Sequence, residues 1–193
     1  MKRSVSAVIF AGGKSSRMGE DKSLLPFGAY TTLAEYQQAK LSKLFDKVYL
    51  SAKKHKFDFE CMMIQDLDEE TSPLIGLISI FERLLIDKVF ILSVDAPLVT
   101  EEIINQLLDH DKSSLDAVIA KSPSGIQPLC GVYKRSILPL AYAQLEKKNH
   151  RLSDLLHLAR TSFVKFEKDE PFVNLNHPQE YQQAIKNLRE SSR

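Results

Sequence analysis

The feature that most constrains this chain is a short apolar run, Ser4 to Phe10 (SVSAVIF), that stops on Gly12 and Gly13. A run of β-branched and apolar residues of this length, closed by glycines, predicts a strand buried on both faces. Strands of that kind belong to parallel sheets, whose crossover helices cover both sides. The rest of the chain has to supply those helices and the neighbouring strands.

It does so in alternation. Thr32-Leu33-Ala34-Glu35 fits a capping box, and Leu33, Tyr36, Leu41, Leu44 and Phe45 follow at helical spacing. Lys47 to Ala52 and Cys61 to Gln65 predict strands, and Pro73 to Leu85 predicts a proline-led helix. Lys88 to Val94 (KVFILSV) is the strongest central strand. It ends on Asp95-Ala96-Pro97, and Thr100 then starts a helix through Asp109. Leu115 to Ala120 predicts a strand, Lys121 to Gly125 a turn-rich loop and Gln127 to Tyr133 another strand. Helices from Ser136 and from about Leu152, a strand at Ser162 to Phe166 and a helix from Pro178 to Leu188 complete the reading. The expectation is a three-layer, doubly wound α/β fold with a mostly parallel sheet, in one domain spanning residues 1–193.

Three of the seven glycines fall between Gly12 and Gly19, directly after the first strand. Glycine lets backbone N–H groups converge on one point and lets a phosphate approach without a Cβ in the way; Arg17 and Lys22 can add positive charge. A Walker loop ending at Gly13-Lys14-Ser15 would need glycine at Val8, and no G-x-G-x-x-G is present, so both better-known phosphate loops are excluded by spacing.

Ligands of open α/β sheets collect beyond the carboxyl ends of the strands, where Asp66 and Asp95 follow apolar runs. Mg²⁺ prefers carboxylate, water and phosphate oxygens, and Asp95 is the expected ligand for it against a triphosphate. Aspartate before Ala96-Pro97 is also a common turn initiator, and Asp66 could be an ordinary loop carboxylate. Asn174 and Asn176 are two apart, so an extended segment would project both amides on one face. The alternative is that Asn176 or His177 caps the helix beginning near Pro178.

Other chemistries find no support. Lys and Arg number 26 against 25 Asp and Glu, and the charges are interspersed, which argues against a nucleic-acid partner. Cys61 and Cys130 are far apart in apolar stretches and predict two core thiols rather than a disulfide or metal knuckle. No signal-type segment or membrane span is expected, so a cytoplasmic protein without a membrane partner follows. His150 and His157 have no zinc-site neighbours and predict surface or packing residues. Lys53-Lys54-His55-Lys56 reads as a solvated loop, with electrostatic steering as its other use.

The segment from Phe10 to Lys22 resembles the L-A-G-G-x-S-x-R-M-G-x-D-K signature of the molybdenum cofactor guanylyltransferases, with Phe10 in place of leucine. Val94-Asp95-Ala96-Pro97 is similar to the family's C-D-x-P segment, Ser72-Pro73-Leu74-Ile75-Gly76 to its G-P-L-x-G turn and Phe172 to Pro178 to its F-x-N-x-N-x-P motif. The resemblance implies a Rossmann-like nucleotidyltransferase that moves GMP from GTP to molybdenum-bound molybdopterin and releases pyrophosphate. It implies nucleotide contacts at Phe10, Ala11, Gly12, Gly13, Lys22, Asp66 and Asp95, and catalytic roles for Lys22, Arg17 and Asp95. Mg²⁺ at Asp95 and acceptor contacts from Gln127, Asn174 and Asn176 follow the same resemblance, with molybdoenzyme apoproteins or their chaperones as further partners. A looser form of the loop is shared by cytidylyltransferases, so three alternatives stay open. They are a CTP-dependent molybdopterin enzyme, a nucleotidyltransferase for another small phosphate and a non-catalytic adaptor that delivers the cofactor.

Overall fold

In the computed structural model, residues 2–12, 21–67 and 72–191 are described. In chain order the elements are β1 (Ser6–Phe10), α1 (Leu33–Leu41), β2 (Val48–Ala52), β3 (Met62–Gln65), α2 (Pro73–Leu84), β4 (Lys88–Ser93), α3 (Glu101–Asp109), β5 (Ala117–Ser122), β6 (Gly125–Lys134), α4 (Leu138–Glu146), α5 (Leu152–Leu158), β7 (Thr161–Lys165) and α6 (Pro178–Ser191). The strands form one sheet in the order β3-β2-β1-β4-β6-β5-β7. β6 runs antiparallel to both its neighbours, and the other pairings are parallel.

β1 is buried at every position because its alternating side chains enter two different cores. Ala7 and Ile9 join a cluster with Leu33 of α1, Ile104 of α3 and Ala184 of α6. Val8 and Phe10 point the other way, toward Leu77 of α2, Ala141 of α4 and Leu155 of α5. The period of two in a strand thus gives the three layers that the unbroken apolar run predicted. The chain leaves β1 toward β2 and β3 on one side and returns to β4 on the other. That reversal puts a crevice beyond the carboxyl ends of β1 and β4, where open α/β sheets bind ligands.

Caps match the sequence. Thr32 accepts from the Glu35 N–H, Ser72 from the Ile75 N–H ahead of Pro73, and Thr100 from the Ile103 N–H. The Glu35 carboxylate reaches the N–H and hydroxyl of Thr31, at 3.0 and 2.7 Å, rather than the Thr32 N–H of a standard capping box.

Two expectations need correction. The loop predicted at Lys121 to Gly125 shrinks to a turn at Pro123-Ser124, because Lys121 pairs with Lys165 of β7 and Ser122 with Gly125 of β6. Strand pairing across the sheet overrides the local turn propensity. Cys130 is a core thiol, pushed up to about 12 by burial, but Cys61 lies only partly buried just before β3. No helix among the described residues is long and apolar enough to cross a membrane.

Two glycines permit close approaches. A Cβ on Gly76 would lie 2.6 Å from the Phe10 ring, so glycine lets α2 settle onto the end of β1. A Cβ on Gly131 would lie 2.3 Å from the Val118 carbonyl oxygen. Next to Gly131 the β5–β6 register shifts: Ile119 pairs with Gly131 but Ala120 with Gln127, so Pro128, Leu129 and Cys130 bulge out of the β5 ladder.

Candidate active site

Lys22 begins a 3-10 turn, Lys22–Leu24, whose N-cap is Asp21. One Asp21 oxygen, Oδ1, accepts from the Ser23 N–H at 3.0 Å and the Ser23 hydroxyl at 2.6 Å. From this turn the Lys22 ammonium donates to Asp95 Oδ2 at 3.2 Å and to Asn176 Oδ1 at 2.6 Å. The Lys22 and Asp95 side chains are only 13% and 20% exposed, so the pair is largely withdrawn from solvent screening. Residues far apart in sequence therefore meet at one ammonium.

Asp95 follows β4, and its other oxygen accepts from the Ser93 hydroxyl at 2.6 Å. Both carboxylate oxygens thus accept from side chains. The turn itself is fixed from α1. The buried Gln37 amide donates to the Ser93 and Val94 carbonyls at 3.2 and 3.3 Å, and Lys40 donates to the Pro97 carbonyl at 2.8 Å. Burial lowers the Lys40 ammonium to about 8. Leu175 N–H closes the group by donating to the Asp95 carbonyl at 2.8 Å. Sequence reasoning missed Gln37, Ser93 and Lys40. Gln37 shares the buried face of α1 with Leu33, Ala34 and Leu41, and a polar residue in that register was the available signal.

The Asn174–Asn176 segment is not simply extended. Asn176 N–H turns back onto the Asn174 carbonyl at 2.8 Å, so the amides are sent to different places. Asn176 faces Lys22, whereas Asn174 lines a cavity of about 410 Å³. The capping contact is made by the Glu180 side chain. Glu180 accepts from the N–H groups of Asn176 and His177 at 2.7 and 2.8 Å, leaving the Asn176 amide to the site.

The cavity lies beyond the end of β4, between Ser93 and Ala96 on one side and the β6 bulge with Gln127 and Leu129 on the other. Tyr133, fully buried, donates to the Pro128 carbonyl at 2.6 Å and pins the bulge. Gln127 donates to the Ser122 hydroxyl at 3.1 Å. His150, read from sequence as a surface or packing residue, also lines the cavity and meets the Ser72 hydroxyl at 3.0 Å.

On the opposite side of β1, Asp66 follows β3 and accepts from the Ser51 hydroxyl at 3.4 Å. Burial raises its pKa against the opposing pull of Ser51 and Lys53. Three strand spacings separate β3 from β4 in the sheet order, so Asp66 and Asp95 stand about 14 Å apart at the backbone. They flank the end of β1 rather than share one ion. Phe10 turns its ring into the core, and its carbonyl accepts from Val94 N–H at 2.9 Å. Ala11 is buried and Gly12 exposed. Gly13 and Arg17 lie outside the described residues.

Lys56 was read as part of a solvated basic loop, and the structure corrects this. Its ammonium contacts Asp21 Oδ2 and donates to the Ala11 carbonyl at 2.8 Å. Nothing in the run Lys53-Lys54-His55-Lys56 distinguishes it from its neighbours, because its partners are distant in sequence.

The arrangement suits a polyphosphate: a cation held between a carboxylate and an amide, at the mouth of a sheet crevice. Among the described residues no group of three or more His, Cys, Asp or Glu could hold a metal by itself. A lone carboxylate fits Mg²⁺ when phosphate oxygens and water complete the shell, and Asp95 has that character.

Residues 7–168 match the model of the MobA-like NTP transferase domain family. The chain is 39% identical over 187 residues to a molybdenum cofactor guanylyltransferase of Campylobacter jejuni subsp. jejuni, covering 96% of this chain and 97% of that protein. It is 35% identical over 194 residues to a molybdenum cofactor guanylyltransferase of Helicobacter pylori, covering 97% and 95%. The molybdopterin-guanine dinucleotide biosynthesis protein A of Archaeoglobus fulgidus has a similar fold, with a TM-score of 0.82 at 18% identity over 96% of this chain and 100% of that one. So does the 2-C-methyl-D-erythritol 4-phosphate cytidylyltransferase of Thermus thermophilus, with a TM-score of 0.70 at 16% identity over 97% and 100%.

Proposed function

The chain belongs to the MobA-like NTP transferase family and, within it, to the molybdenum cofactor guanylyltransferases, and from this we propose that it transfers GMP from GTP to molybdenum-bound molybdopterin. The observation that carries the site assignment is the Lys22 ammonium bonded to both Asp95 and Asn176 at the carboxyl edge of the sheet. A terminal phosphate oxygen of the pterin attacks the α-phosphorus of GTP in line. The new P–O bond forms as the bond to the β-phosphate bridging oxygen breaks, and pyrophosphate leaves without a covalent enzyme intermediate.

Lys22 stabilises the charge that builds on the phosphates, and a preorganised, partly desolvated donor is most effective at that task. Asp95 would hold Mg²⁺, which would neutralise triphosphate charge when bound. Gly12, Gly13 and Arg17 of the glycine loop supply further phosphate contacts. Asp66 serves the nucleoside side, about three strand spacings from Asp95, and Gln127 and Asn174 serve the acceptor in the cavity. Cytoplasmic action, with delivery of product to molybdoenzyme apoproteins or their chaperones, completes the reading; the free thiols of Cys61 and Cys130 suit a reducing compartment.

The test is pyrophosphate release by the purified protein with molybdenum-loaded molybdopterin and either GTP or CTP. Release with GTP in clear preference to CTP is expected. Faster release with CTP would make it a cytidylyltransferase. Tight GTP binding without release would make it an adaptor.

A further inference from the structure

We infer that Lys56 is a positioning residue for the transferase site, tying the end of β1 to the turn that carries Lys22. The inference rests on the nucleotidyl-transfer reading of Lys22. Lys56 comes from the connection after β2, the strand paired with β1, and its ammonium reaches Ala11 just after β1 and Asp21 just before the Lys22 turn. It donates to the Ala11 carbonyl at 2.8 Å and to Asp21 Oδ2. Its side chain is only 16% exposed and its ammonium sits 5.5 Å from the Phe57 ring centroid, in cation–π range. Lys53 and Lys54, in the same run, are exposed.

The Asp21 carboxylate is divided between two tasks. Oδ1 caps the turn through the Ser23 N–H and hydroxyl, while Oδ2 receives Lys56. Burial alone would raise the Asp21 pKa, but the hydrogen bonds from Lys56 and Ser23 outweigh it and leave it lowered. Asp21 is therefore held ionised, in one orientation, immediately before Lys22. Without Lys56 a half-buried carboxylate loses its counter-ion and the turn loses a fixed cap. Lys56 itself does not contact Asp95 or Asn176, so its effect on the site passes through Asp21 and Lys22.

The experiment compares Lys56→Met, which keeps the stem over Phe57, with Lys56→Arg, Asp21→Asn, the Lys56→Met/Asp21→Asn double variant and Lys54→Met as the surface control. GTP turnover, thermal unfolding and amide exchange at Ser23 and Leu24 are measured for each. Lys56→Met is expected to lower kcat/KM for GTP about 30-fold, as slight misplacement of a catalytic group does, and to speed exchange at Ser23 and Leu24 about tenfold while β4 amides are unchanged. Lys56→Arg restores most of the loss, the double variant is no worse than the poorer single variant, and Lys54→Met behaves as wild type. Wild-type turnover in Lys56→Met, unchanged exchange at Ser23 and Leu24, or uniformly faster exchange with a lowered melting point would each overturn the inference. If the wild-type protein itself shows no GTP turnover, the transferase reading fails, and the exchange data decide the tie separately.

Discussion

Asn176→Ala separates an active-site amide from a helix cap. Its side-chain oxygen accepts from the Lys22 ammonium at 2.6 Å, and a hydrogen bond to a charged group contributes about 1.5–3 kcal/mol. Lys22 keeps Asp95 at 3.2 Å, so the ammonium is loosened rather than freed, and the lower part of that range applies. A loss of about 1.5–2 kcal/mol in transition-state stabilisation corresponds to a fall in kcat of about 10–30-fold. The cap of α6 is untouched, because Glu180 binds the main-chain N–H groups of Asn176 and His177. Stability should therefore change by no more than about 0.5 kcal/mol. Steady-state pyrophosphate release and thermal unfolding, measured on the same preparation, check both halves. Full turnover with a markedly lowered melting point would show that Asn176 caps the helix and leaves Lys22 alone.

Lys22→Ala should lower turnover by about two to three orders of magnitude, the usual cost of losing one preorganised charge-stabilising donor; near-normal turnover would remove Lys22 from the chemistry. Asp95→Asn should abolish the Mg²⁺ dependence of the rate while circular dichroism reports an intact fold, and an unchanged Mg²⁺ titration would count against Asp95 as ligand. Away from the site, the Asp116 carboxyl is held well below the ordinary carboxylate range by hydrogen bonds from Arg160, against the cost of burial and with help from Ser136. Its pKa is lowered on folding, so its stabilisation is present above the unfolded value and is lost as pH falls toward the depressed folded one. Asp116→Asn should lower the melting point at pH 7 and flatten the acid limb of the melting-point profile, with the effect limited by solvent screening of the mostly exposed Arg160, and an unaltered acid limb would refute the assignment.

What the sequence by itself determined is the layered fold and the set of candidate residues for the site. Apolar runs such as Ser4 to Phe10 are local and periodic, and burial on both faces follows directly from them, as the split of β1 between two cores shows. Lys22, Asp95 and Asn176 were legible because each sits in a short motif whose residue types suit phosphate chemistry. The tertiary structure decided how they are used. Only the fold brings Asn176 within 2.6 Å of Lys22 while Glu180 takes over the cap. Only the fold picks Lys56 out of four adjacent polar residues, and only strand pairing turns Lys121 to Gly125 from a loop into the ends of two strands. Propensity and motif act over a few residues, whereas a counter-ion, a hydrogen-bond partner or a sheet register is set by whichever distant segment the packed core brings alongside.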